Sequence, residues 1–238
     1  AADEARAALQ RSSQGLLLWE QALPTGRWIV RPEQEAIQAR FQLGSSTTVL
    51  LGEPGSGKSA LLSRIGEQLS ALRLPVLAVK ADFLSSEVAT EADLQRELQL
   101  PALPSSLILS IARTTPVYVL LDQLDALASQ LDLNSGRLNV MLNLVRRVSG
   151  ASNVHVLISA RLFEFNHDAR LRSVEAESVV LSLPPWHEVR EQLVAIGVDA
   201  DAWPERARDV VRTPQALKTF IALAQTGYAE PFVTYQAM

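Results

Sequence analysis

The sequence has no cysteine and, in 238 residues, only three lysines: Lys58, Lys80 and Lys218. Without cysteine there is no disulfide, no thiolate zinc site and no cysteine nucleophile. A reducing compartment suits such a chain, so a cytoplasmic setting is expected. The three histidines lack metal-ligand spacing: His155 sits in an apolar run, and His167 and His187 have no nearby partner. No apolar run approaches the roughly 20 residues that span a bilayer, so no membrane partner is expected. A net charge of −4 gives no sign of a nucleic-acid partner. The first residues, Ala1-Ala2-Asp3-Glu4-Ala5-Arg6, are acidic and helix-prone, unlike a signal peptide. They lack an initiator methionine, and a processed chain or an excised piece is expected.

Hydrophobic residues make up 47% and charged residues 20%, enough apolar surface for a buried core. The length allows one large domain or one and a half small ones. The most informative stretch is Gly52-Glu53-Pro54-Gly55-Ser56-Gly57-Lys58-Ser59, which fits the P-loop pattern. Its glycines let consecutive backbone N–H groups turn toward phosphate oxygens. Lys58 would place its charge on the β- and γ-phosphates, and the Ser59 hydroxyl would bind Mg²⁺. A helix beginning here, with Ala60 in its first turn, would aim its positive end at the same phosphates. The context agrees: β-prone Thr47–Leu51 comes before, and Ala60–Leu69 follows with apolar residues at helical spacing.

Residues 3–20 read as one helix, broken at Leu23-Pro24-Thr25-Gly26. A helix through Phe41 follows Trp28–Glu33. Further apolar strands read over 74–79, 117–121, 154–158 and 178–183, with helices over 91–99, 105–112 and 138–148. Five strands alternating with helices predict an α/β fold with a five-stranded parallel sheet covered on both faces. Ligands bind such sheets at the strands' carboxyl ends. After Pro184-Pro185 only helices are expected, at 186–196, 203–212 and 214–224. The organisation read is an N-terminal helix and linker (1–27), a P-loop domain (28–183) and a small helical subdomain (184–238).

Asp122 follows the apolar strand 117–121, where an acid would hold Mg²⁺ directly or through water. Asp125 could be the base or orient the water, or else cap a helix. Gln123 can orient a water but cannot take its proton. Arg161, just past strand 154–158, could bind the γ-phosphate or pair at the surface. These features follow different strands and could converge on one site.

Residues 28–226 resemble the STAND class of signalling ATPases, relatives of AAA+ proteins that include the NACHT and NB-ARC groups. Gly52–Ser59 matches their Walker A motif. Asp122-Gln123-Leu124-Asp125 after an apolar strand is similar to their Walker B form, and Leu157–Arg161 to their sensor-1 segment. Ile29-Val30-Arg31-Pro32-Glu33 resembles the segment that lies along adenine, with Val30 in place of the usual glycine. Arg212-Thr213-Pro214 is similar to the Gly-x-Pro segment of the helical subdomain, with Arg212 in place of glycine. The resemblance implies ATP or ADP with Mg²⁺ as ligands, with Arg31 and Pro214 near the base. Arg161 would read the γ-phosphate. It also implies self-association or partner subunits in the ATP state, and flanking winged-helix, repeat and effector domains.

The function expected first is a slow ATP-driven conformational switch in signalling, with defence or stress as the family's setting. An AAA+-like loader or remodeller of nucleic acid or protein is the runner-up, and a non-hydrolysing nucleotide-binding scaffold the third. Gln123 stands where AAA+ enzymes usually carry a catalytic glutamate. A small-molecule kinase is disfavoured by the lack of an arginine-rich lid. GTP is disfavoured by the lack of an Asn/Thr-Lys-x-Asp motif.

Overall fold

The computed structural model describes residues 2–128 and 135–227. Its strands are β1 (Ser46–Gly52), β2 (Val76–Lys80), β3 (Val117–Asp122), β4 (Val154–Arg161) and β5 (Glu177–Val180). All neighbours pair in parallel, in the order β2-β3-β4-β1-β5. The helices are α1 (Ala2–Ser12), α2 (Gln14–Leu17), α3 (Pro32–Arg40), α4 (Lys58–Ala71), α5 (Glu91–Glu97), α6 (Pro104–Ala112) and α7 (Leu124–Ala128). They continue with α8 (Ser135–Val148), α9 (Leu162–His167), α10 (Ala169–Arg172), α11 (Trp186–Val194), α12 (Glu205–Val211) and α13 (Pro214–Ala224).

Alternation along the strands divides the core in two. Val49, Leu51, Val119, Leu121, Val156 and Ile158 point one way, into a cluster with α6 and α8. Leu50, Leu120 and Leu157 point the other way, onto Leu61, Leu62 and Ile65 of α4 and Ile37 of α3. A third cluster joins α11, α12 and α13 through Val189, Val210, Leu217 and Phe220. Leu23 and Ile29, from the connection between α2 and α3, belong to it. Residues 228–238 of the helical stretch expected over 184–238 lie outside the described residues.

Three expectations need correction. The helix read over 3–20 is two helices, broken at Ser13. The Ser13 side chain is fully buried, accepts the Ala78 N–H at 2.8 Å and lies 3.0 Å from the Val76 carbonyl. It thus plugs the open edge of β2, a need that helical periodicity does not reveal. The strand read over 178–183 is Glu177–Val180, mostly exposed, because β5 pairs only with β1 at the other edge of the sheet. The strands read over 74–79, 117–121 and 154–158 run on to Lys80, Asp122 and Arg161, which are their last residues. They are therefore fixed by ladder register, with Lys80 opposite Asp122 and Arg161 opposite Gly52.

Candidate nucleotide site

The turn between β1 and α4 has left-handed backbone at Gly55 (φ 73°) and Gly57 (φ 95°), a region that disfavours any side chain. Lys58 Nζ folds back to donate to the carbonyls of Gly52 (2.8 Å) and Glu53 (2.9 Å). Burial holds its ammonium below the ordinary lysine range, with Asp125 and Asp122 opposing that shift. Pro54, Gly55, Gly57, Ser59 and Ala60 line a cavity of about 410 Å³. Glu53 is exposed and does not line it. Ser56 is buried, and its Oγ has no hydrogen-bond partner.

The acids divide in two. Asp122 is fully buried and lies behind the cavity wall. Its Oδ1 accepts the Ser159 hydroxyl, and its Oδ2 is 3.3 Å from Lys80 Nζ. Ser159 also accepts the Gln123 N–H at 3.0 Å, across a backbone held left-handed at Gln123 (φ 60°). Asp125 does line the cavity. Its Oδ2 pairs with Arg161 Nε at 3.3 Å, while its Oδ1 is buried without a hydrogen-bond partner. Burial pushes the Asp125 carboxyl above the ordinary range, against the pull of Arg161 and then Lys58. Arg161 is half exposed and also reaches Glu164 at 3.3 Å.

Arg31 is buried and donates to the carbonyls of Ser56 (3.1 Å) and Ser182, tying the P-loop to the chain after β5. Burial lowers its pKa, opposed by Glu33. A recess of about 40 Å³ adjoins the main cavity, lined by Leu23, Trp28, Ile29, Arg31 and Pro214 among others. Pro214 opens α13, and the next N–H, of Gln215, donates to the Gly55 carbonyl at 3.2 Å. The helical layer therefore rests directly on the P-loop.

The structure thus brings Lys58, Ser59, Asp125, Arg161 and Pro214 around one cavity. Asp122 stands behind it, and Arg31 sits at the back of the P-loop. Sequence reasoning missed several neighbours. Residues 19–23 form one wall, where Glu20 pairs with Lys218 of α13. Lys80 and Ser159 hold Asp122. The scarcity of lysine was the available signal: all three lysines lie in or beside this cleft.

The residues fit a nucleotide with Mg²⁺. The volume falls in the range of roughly 300–1,000 Å³ for small-molecule sites. Ser59 and Asp125 line the same space. Among the described residues no group of three or more acids and histidines could hold a metal unaided.

No protein-family model matches the chain, and no curated protein does. Solved structures match over most of its length. The Walker-type ATPase of Pyrococcus abyssi superposes with a TM-score of 0.59 at 15% identity, over 90% of this chain and 72% of that one. AMPPCP-bound DnaA from Aquifex aeolicus gives 0.54 at 16% identity, over 83% and 63%. A chain of the HORMA:CdnC:Trip13 complex of E. coli MS115-1 gives 0.50 at 17% identity, over 98% and 83%. The fold is AAA+-like. This chain, with five parallel strands in the order 2-3-4-1-5 and helices after the last strand, shares its fold with these structures.

Proposed function

We propose that the chain is the nucleotide-binding core of a STAND-like switch that binds ATP with Mg²⁺ and hydrolyses it slowly. The observation that carries this reading is the seat of α13 on the P-loop through the Gln215–Gly55 bond. Whatever changes the P-loop is felt at once by the helical subdomain. In this reading Lys58 and the P-loop amides hold the β- and γ-phosphates, and Ser59 and Asp122 serve Mg²⁺, the acid through water. Arg161 reads the γ-phosphate, so that its contacts exist in one state only. Asp125 takes a proton from the attacking water as the water oxygen bonds to the γ-phosphorus and the bond from that phosphorus to the bridging oxygen breaks, leaving ADP and phosphate. Pro214 and the Leu23–Ile29 recess hold the base, with Arg31 fixing the P-loop behind it.

An AAA+-like remodeller or loader is the second reading, favoured by the fold shared with DnaA and with the Trip13-containing complex. Phosphate release, measured beside light-scattering mass with ATP and with ADP, separates the two. A switch turns over well below about 10 per second, the median for enzymes. Asp125→Asn keeps ATP, loses about 10²–10⁴-fold in turnover and accumulates an associated ATP state. Turnover of many per second, or normal hydrolysis by Asp125→Asn, would promote the remodeller.

A further inference from the structure

Lys80 has no place in the mechanism above, yet it is among the most completely buried charges in the described chain, at 3% exposure. A lysine is almost never so buried unless its charge is paired. Its Nζ lies 3.3 Å from Asp122 Oδ2 and 3.3 Å from Asp82 Oδ1. Ladder register sets Lys80 directly opposite Asp122. The Trp19 ring covers the ammonium at 4.2 Å, and Phe83 lies at 5.0 Å. These rings keep water from the pair, and a charge pair shielded from water is strengthened.

We infer that Lys80 is a positioning residue for the metal acid: with Ser159 it holds the Asp122 carboxylate in one orientation behind the nucleotide cavity. The Ser159 hydroxyl occupies one carboxylate oxygen and the ammonium the other. Each oxygen keeps a second lone pair for a metal-bound water. Without Lys80, a fully buried carboxylate would face one hydroxyl and no cation, so nothing would fix its second oxygen and it would turn away. Trp19 adds a link to the N-terminal segment, because the same residue lines the cavity. The inference rests on the proposed role of Asp122 toward Mg²⁺.

The test is a double-mutant cycle read by calorimetry of ATP binding, with Mg²⁺ and with EDTA. Lys80→Met should cost about 10–100-fold in the Mg²⁺-dependent part of ATP affinity, as loss of an outer-shell partner typically does. Affinity in EDTA should hold. In an Asp122→Asn background Lys80→Met should add nothing, since its effect passes through that carboxylate. Equal losses with and without Mg²⁺, or losses that simply add in the double mutant, would show a merely structural lysine and overturn the inference. If Lys80→Met does not fold, Lys80→Gln removes the charge with less change in shape, and the same outcomes apply. An unmodified chain that binds ATP indifferently to Mg²⁺, with Asp122→Asn alike, would fail differently. It would remove the metal role of Asp122 itself, and this inference with it.

Discussion

At the end of the cleft proposed for the phosphates, four charged groups come from the carboxyl ends of strands or from the helix start that follows one. Lys58 follows β1, Lys80 ends β2, Asp122 ends β3 and Arg161 ends β4. At the base end, Leu23, Trp28, Ile29 and Pro214 come from connections and from the start of α13, outside the sheet. The first end is held by ladder register and buried ion pairs, and the second by packing into a separate apolar cluster. A rigid end can fix phosphates while a separately packed end moves against it. The two meet at Gly55 and Gln215.

Breaking the phosphate end should have the largest effect. Lys58→Ala is expected to weaken ATP by about 100-fold or more, since charge-assisted bonds contribute about 1.5–3 kcal/mol each. Fluorescent-nucleotide titration of the folded variant measures it, and unchanged affinity would remove the site. Next, Arg161→Ala should cost ATP about 10-fold while ADP affinity holds, the mark of a γ-phosphate contact. An equal loss for both nucleotides would make Arg161 only a partner for Asp125. At the base end the pattern reverses: Leu23→Ala should weaken ATP and ADP equally and by less, about fivefold, because an apolar wall ignores the γ-phosphate. A loss confined to ATP would contradict the division of the cleft.

The smallest effect lies away from both ends. His155 is buried against Tyr118, bonds to Ser46 at 2.8 Å, and is held below the ordinary imidazole range by burial. The folded chain keeps it neutral, while the unfolded chain takes up a proton below about pH 6.5. Stability should therefore fall as pH drops through that value and level off below the folded pKa. Melting temperatures should decline on acidification from about pH 7.5 to about 5.5, and less so in His155→Phe.

The same contrast explains what the sequence made legible. The P-loop could be located because phosphate chemistry demands particular residue types at fixed spacing. β3 and β4 could be found because strands buried on both faces are apolar throughout. The base end offered no such signal, since any apolar side chain can line a recess and Leu23 looked like the start of a turn. Lys80 lies just past the strand read over 74–79 and gave no signal of its own, because its partner Asp122 is 42 residues away and only register joins them. Ser13 looked like one more helical residue because the strand edge it satisfies lies outside its own helix.

The proposed switch stands on the seat of α13 on the P-loop, and the Gln215 amide reports on it. Its hydrogen exchange can be followed in the full chain without nucleotide, with ADP, and with ATP and Mg²⁺ in the Asp125→Asn background. The switch predicts that this amide exchanges at least about tenfold more slowly with ATP than with ADP, a difference of about 1.4 kcal/mol in opening free energy. Equal exchange in the ATP and ADP states, with both nucleotides bound, would contradict it.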